Sequence, residues 1–356
     1  MSKPKVLVLG EIKHAHKAFT SLASIADIQK PKSTTRPAFI EECKSGAFDG
    51  ITATYRNFQS VSITGRVDAE LLDALPKSLK FICHNGELTD TLSFLTLIPV
   101  MSLVTDVSGA GYDQIDVPAC ASRGIRVSNT PTAVDDATAD ITIWLLIGAL
   151  RNLSVSIAAL RAGTWQGNPP PALGHDPQGK VLGILGMGGI GRNVARKARA
   201  FGMSVRYHNR NKLSPELEDG AEYVDFETLL KESDVLSLNL PLDPNTRHSI
   251  AKPQFDTMKR GIVIVNTARG AVMDEAALVD ALESGQVSSV GLDVFENEPE
   301  IHPGLLANQK VLLIPHMGTY TVETEEKMEV WALDNVRLAI TEGKLKSIVP
   351  EQKDLQ

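Results

Sequence analysis

The stretch from Lys180 to Arg192 reads K-V-L-G-I-L-G-M-G-G-I-G-R. Its apolar run, Val181 to Leu185, stops at Gly186, and glycines at 186, 188 and 191 spell G-x-G-x-x-G ahead of the helix-forming residues Asn193 to Ala200. That order predicts strand, tight turn and helix. The first glycine permits the turn, the second lets a pyrophosphate approach the backbone, and the third lets helix pack on strand, with the anion at the helix N-terminus. A glycine-rich turn can also be a plain connection. Its strand and helix context favours a dinucleotide site, with Gly186, Gly188, Gly189, Ile190 and Gly191 as its residues.

From this turn onward the pattern alternates. Strands are expected at 181–185, 204–208, 235–238, 262–265, 290–293 and 311–314, with helices at 190–201, 226–232, 253–258 and 274–283. Such alternation predicts a doubly wound parallel sheet with ligands at the carboxyl ends of its strands. A similar but shorter set precedes it, with strands at 6–9, 50–54, 79–83 and 125–128 and helices at 39–44 and 68–75. Residues 135–150 are apolar all round and must form a buried helix, expected to run on to about Ala162. Thr321 to Glu342 reads as a long amphipathic helix that returns to the first domain. The fold class is therefore α/β: two doubly wound parallel-sheet domains, a Rossmann cofactor domain at 133–319 and a flavodoxin-like substrate domain at 1–132 and 320–356, with a cleft between them implied by the family that the motifs below resemble.

At 356 residues, two domains are the expected division. The apolar share of 43%, the charged share of 22% and the net charge of -7 are those of an ordinary globular chain and give no reason to expect nucleic acid. Three widely spaced cysteines, Cys43, Cys83 and Cys120, fit neither a disulfide framework nor a zinc site. No signal peptide or membrane span is legible, and a cytoplasmic protein without metal is expected.

Three chemically capable side chains follow strands of the second domain: Arg269 after the strand ending at Val265, Glu298 after the one ending at Asp293, and His316 after the one ending at Ile314. Reducing a 2-keto acid needs a cation for the carboxylate and carbonyl oxygen, which the planar fork of an arginine serves. It also needs a proton donor near neutral pH, for which histidine is suited, and a carboxylate that orients it. Taken singly, each residue could be a solvated charge or a turn residue; their convergence beside a dinucleotide turn carries the reading. The remaining histidines, His14, His16, His84, His175, His208, His248 and His302, have no such company and read as surface or turn residues.

The dinucleotide fingerprint expects an acid about 20 residues on, holding the ribose 2'-hydroxyl. Here Asn209 and Arg210 end the second strand, with Asn209 18 residues after Gly191. Asparagine does not repel a 2'-phosphate and Arg210 can pair with one, which favours NADP(H) over NAD(H). The plainer reading is that Asn209 hydrogen-bonds the ribose.

These segments together resemble the D-isomer-specific 2-hydroxyacid dehydrogenases, the fungal glyoxylate (hydroxyacid) reductases in particular. The resemblance runs over G-A-G-Y-D-Q-I-D (109–116), A-T-A-D (137–140), G-I-L-G-M-G-G-I-G-R (183–192), Y-H-N-R (207–210), N-L-P-L-D-P-N-T (239–246), V-N-T-A-R-G-A-V (265–272), G-L-D-V-F-E-N-E-P (291–299) and P-H-M-G-T (315–319). It implies an NAD(P)-dependent oxidoreductase that converts glyoxylate, hydroxypyruvate and related 2-keto acids to D-2-hydroxy acids. Arg269 would bind substrate, Glu298 would pair with His316, and His316 would donate the proton. Gly188 to Gly191 would hold the pyrophosphate, Pro241, Thr246 and Thr267 would line the nucleotide, and Asp293 would contact the nicotinamide with Gly318 beside it. Backbone amides near Ala110 and Gly111 would carry the substrate carboxylate, and the protein would be a homodimer. A nucleotide-sensing binding protein like the related corepressors is the alternative; the partner-binding extensions it calls for are not visible.

One departure from the family is large. The strand ending C-H-N at Asn85 does not run directly into the G-A-G-Y-D turn, because Gly86 to Ser108, 23 residues, intervene. The reading taken here is a retained intron translated in frame. Gly86-Glu87 can be encoded with a splice-donor sequence, and Thr105-Asp106 and Ser108-Gly109 with branch and acceptor sequences. The competing readings are a surface loop, which would expose the apolar Leu92 to Val104 beside the substrate turn, and an inactive product. Sequencing the mature transcript is expected to find messages lacking these codons, and protein without them is expected to show higher specific activity than protein with them; equal activities would refute the second expectation.

Overall fold

In a computed structural model, residues 2–86 and 111–355 are described. Most of the added segment, and Ala110, lie outside them. The chain divides into two compact units, Met1–Val134 with Thr319–Gln356, and Asp135–Gly318.

The first unit is a five-stranded sheet built from β1 (Lys5–Leu9), β2 (Asp27–Gln29), β3 (Ile51–Arg56), β4 (Phe81–His84) and β5 (Arg126–Ser128). All pairs are parallel and the order is β2-β1-β3-β4-β5, the flavodoxin-like arrangement. Its central strands β1, β3 and β4 are buried along both faces because each face is covered. Leu7, Phe39, Ile51, Leu71 and Val127 pack on one side and Val6, Ala53, Tyr55, Phe81 and Val336 on the other. The helix Val322–Glu342 lies against β3 and β4. From it the fully buried Glu329 accepts hydrogen bonds from the amides of Lys13, His14 and Ala15 at 2.7, 2.8 and 2.6 Å, at the entry to the helix His16–Ile25. That helix and β2 escape a pattern reading because both are short and half-exposed.

The second unit is a seven-stranded parallel sheet made of β6 (Val181–Leu185), β7 (Ser204–His208), β8 (Glu222–Tyr223), β9 (Val235–Leu238), β10 (Ile262–Asn266), β11 (Val287–Leu292) and β12 (Val311–Leu313). Its order is β12-β11-β10-β9-β6-β7-β8. The chain starts at β6, winds outward through β7 and β8, then crosses back to β9 and winds the other way. The switch point therefore lies between β6 and β9, where a doubly wound sheet opens its ligand crevice.

The helix Asp135–Leu150 packs on the helix Gly189–Ala200 and across β10 and β11, which is why it is apolar on every side. A Cβ on Gly291 of β11 would stand 2.8 Å from that of Leu145. The expected continuation to Ala162 is corrected: the helix stops at Leu150, and a second one, Leu153–Arg161, leaves it at 80°. Asn152 makes the corner with φ of 52°, a left-handed conformation asparagine tolerates better than most residues. Among the described residues no single helix is long and apolar enough to cross a membrane, and no group of acidic, cysteine and histidine side chains could hold a metal ion.

Removing the Glu329 carboxylate would strand three buried or half-buried amides. Glu329→Ala is expected to lower unfolding stability by about 3 kcal/mol or more, and Glu329→Gln, which keeps one acceptor oxygen, by less; chemical denaturation of the three proteins measures the difference.

Candidate functional site

The glycine turn forms as its spacing requires. Gly186 ends β6 with φ of +99°, and a Cβ there would lie 2.6 Å from the carbonyl oxygen of Asn239, past the end of β9. A Cβ on Gly191 would lie 2.4 Å from the Gly186 carbonyl, so the third glycine sets how closely helix meets strand. Gly189 has a reason of its own: a Cβ there would run into the Asp135 carboxylate at 2.0 Å. Gly188, by contrast, is exposed and its Cβ direction is empty within 4 Å. The backbone at the N-terminus of the 12-residue helix Gly189–Ala200 is thus open on the side where a pyrophosphate would lie, and the residues fit that group.

At the end of β7 the Asn209 side chain turns back on this loop, and its Oδ1 accepts the Met187 amide at 2.7 Å. This bond fixes the orientation of the Asn209 amide beside the glycine turn. Next to it Arg210 is exposed, with no ion pair or hydrogen bond among the described residues. Thr246 closes its own loop, donating to the Pro241 carbonyl at 2.7 Å and accepting the Asp243 amide at 2.8 Å. The Thr267 hydroxyl meets that of Thr142, from the helix Asp135–Leu150, at 2.8 Å. Both threonines thus shape the loops while their hydroxyls are engaged within the protein.

Three adjacent strand ends carry the candidate reactive groups. Past β10, the buried Asn266 folds the loop over itself, accepting the Ala268 amide at 3.0 Å and donating to the Arg269 carbonyl at 2.8 Å. Arg269 is buried, and its Nη1 donates to the Ala268 carbonyl at 2.7 Å. Past β11, Asp293 is buried with its carboxylate bonded by the amides of Met317 and Gly318, and its own carbonyl accepts the His316 amide at 2.8 Å. Burial pushes the Asp293 carboxyl up to about 6, against the pull of His316 and the two amides.

Glu298 accepts the Phe295 amide on Oε1 at 2.8 Å and faces His316 Nδ1 with Oε2 at 2.9 Å. His316 holds φ of 54°, a strained value for a residue with a side chain, and the bonds to Asp293 keep it there. With Nδ1 engaged by Glu298, Nε2 is the nitrogen left to exchange a proton, and it has no hydrogen-bond partner among the described residues.

Arg269 joins this pair through its neighbour. Gly270 lies so close to the following loop that a Cβ would stand 1.8 Å from the Phe295 carbonyl carbon. The loops bearing Arg269 and Glu298 are consequently in backbone contact.

In the first unit, Gly111 opens the G-Y-D-Q turn, and Tyr112 is tied to Glu351 at 2.8 Å. His84 is not a surface residue: it is 3% exposed at the end of β4, with Nδ1 3.3 Å from Nη1 of Arg56, itself fully buried at the end of β3. Arg56 also reaches the Gly65 carbonyl at 3.3 Å and Gln114 Oε1 at 3.4 Å, its Nε is unsatisfied, and burial pushes its guanidinium down to about 10. Sequence reasoning missed this cluster, which no local pattern marks.

Comparison with known proteins agrees with this geometry. Residues 143–318 match the model for the D-isomer specific 2-hydroxyacid dehydrogenase NAD binding domain. The chain is 54% identical over 352 residues to 4-methyl-2-oxopentanoate reductase A of Aspergillus oryzae, with 99% of each chain covered. It superposes on the crystal structure of a glyoxylate reductase from Paecilomyes thermophila with a TM-score of 0.90 at 53% identity, over 99% of this chain and 100% of that one. It also superposes on an NADPH-dependent glyoxylate/hydroxypyruvate reductase from Sinorhizobium meliloti in complex with NADP and malonate, with a TM-score of 0.79 at 28% identity and 98% of both chains covered. A doubly wound sheet with an open glycine turn, and relatives this similar along the whole length, place the chain in one family: it belongs to the D-isomer-specific 2-hydroxyacid dehydrogenases, enzymes dependent on NAD(P).

Proposed function

We propose that the protein is an NADPH-preferring reductase of glyoxylate and of related 2-keto acids such as hydroxypyruvate, forming D-2-hydroxy acids. The observation that carries this reading is the Glu298–His316 pair, 2.9 Å apart at the carboxyl edge of a nucleotide-binding sheet with one imidazole nitrogen unengaged. The bound nicotinamide supplies the hydride. His316 then gives its Nε2 proton to the substrate's carbonyl oxygen, while Glu298, on Nδ1, holds the ring in one tautomer and balances the charge of its protonated form. Arg269 pairs with the substrate carboxylate and polarises the carbonyl, a task suited to a guanidinium held by its own loop. Asp293 keeps His316 in its strained backbone conformation by binding the two amides that follow it. Gly111 presents a backbone amide to the substrate carboxylate.

The preference for NADPH is supported by Arg210, an unpaired exposed cation beside Asn209, where an acid would repel a 2'-phosphate. The NADP complex of the Sinorhizobium meliloti enzyme supports the same choice. Small 2-keto acids are supported by the names of the glyoxylate and 4-methyl-2-oxopentanoate reductases that this chain is similar to. Exposed Leu160, Trp165 and Leu173, along and after the helix Leu153–Arg161, support a homodimer.

Purified protein is expected to oxidise NADPH when glyoxylate is added. His316→Ala is expected to lower kcat by about 100-fold or more with NADPH affinity little changed, since it removes a proton donor and no part of the nucleotide site; unchanged turnover would exclude His316 from that role. Arg210→Gln is expected to raise the KM for NADPH by about tenfold or more and to leave that for NADH alone. A steady-state panel of glyoxylate, hydroxypyruvate and 2-ketoisocaproate against both nucleotides reads the preference directly, and NADH favoured over NADPH in the unaltered protein would overturn the assignment of Arg210.

A further inference from the structure

The loop that carries Glu298 is gripped from behind by a second carboxylate. Glu275 is the first residue of the helix Glu275–Glu283, yet the cap of that helix is Asp274, which accepts the Ala277 amide at 3.0 Å. Glu275 is therefore released from capping, and its side chain is turned inward and buried. Its Oε1 accepts the Glu296 amide at 2.7 Å. One buried anion thus holds the start of the loop in which Glu298 follows two residues on. Burial pushes the Glu275 carboxyl up, against the pull of the Glu296 amide and of His302, which is the cost of placing an acid there.

The same loop is held from two other sides. The Glu296 carboxylate takes Nε2 of His248 at 2.6 Å, and the Phe295–Glu296 peptide lies against Gly270. The register passes to the reactive pair through one bond, from the Phe295 amide to Glu298 Oε1 at 2.8 Å. A shift of the Glu296 peptide moves the Phe295 amide, and with it the carboxylate that orients His316.

We infer that Glu275 is a positioning residue for the Glu298–His316 pair, acting through the Phe295–Glu296 peptide. This rests on the reading of Glu298 as the partner of His316, and the experiment separates the two. Turnover of glyoxylate with NADPH is compared in the unaltered protein, Glu275→Ala, Glu275→Gln, Glu298→Gln and the double variant Glu275→Ala/Glu298→Gln. Glu275→Ala is expected to lower kcat by about tenfold or more, because small misplacements of reacting groups are costly, with the KM for NADPH within about twofold. Glu275→Gln keeps an acceptor oxygen and is expected to recover most of kcat. In the Glu298→Gln background the alanine change is expected to cost less than about twofold, since the carboxylate it positions is gone. An equal loss in both backgrounds, or no loss in the first, overturns the inference. Full turnover in Glu298→Gln overturns the reading of the pair itself. Should Glu275→Ala not fold, Glu275→Asp, which withdraws the carboxylate by one methylene, takes its place in the cycle under the same outcomes.

Discussion

A buried carboxylate is tolerable only where backbone amides or a cation meet it, and the candidate site is assembled from this one constraint. Asp293 binds the amides that follow His316, Glu298 binds that of Phe295, and Glu275 binds that of Glu296. Each bond joins one loop to the next or closes a loop on itself, so segments that leave separate strands are locked into a common register. The strain at His316, whose backbone sits in a left-handed conformation, is carried by these bonds. The same device appears in the first unit, where Glu329 gathers three amides.

The sheet supplies what the acids then refine. Seven parallel strands deliver their carboxyl ends to one edge, and the order reverses between β6 and β9, so the glycine turn and the loops after β10, β11 and β12 belong to the same rim. At the close contacts glycine does more than bend the chain. Gly186, Gly191 and Gly270 each stand where a methyl group would collide with backbone, whereas Gly188 faces nothing. Three of them set how near two segments come, and the fourth leaves room for an anion.

Much of this was legible in the residues. Alternating apolar runs and glycine stops located most strands of both sheets, because fully covered parallel strands are written as short continuous apolar runs. Arg269, Glu298 and His316 could be picked out because each follows such a run, and the structure does bring Glu298 to His316. What stayed hidden depends on contacts between distant segments. Nothing local marks Glu275 as different from any acid in a first helical turn, or Arg56 and His84 as a buried pair. The bend at Asn152 was missed because apolar periodicity runs through it unbroken, and a single left-handed residue leaves periodicity intact. The tie from Asn209 to Met187 could only be seen once the turn was folded.

The strand that leads into His316 is β12, three residues long, hydrogen-bonded to β11 alone and standing at the outer margin of its sheet. Peripheral strands with one neighbour are the first to fray when a protein is warmed, since they lose half the ladder that central strands keep. The His316 imidazole is therefore mounted on a yielding part of the molecule, while the nucleotide turn is built on β6, in the interior. Heat would loosen the footing of His316 while the nucleotide-binding framework still stood, and the margin between those two events is a property of one short strand.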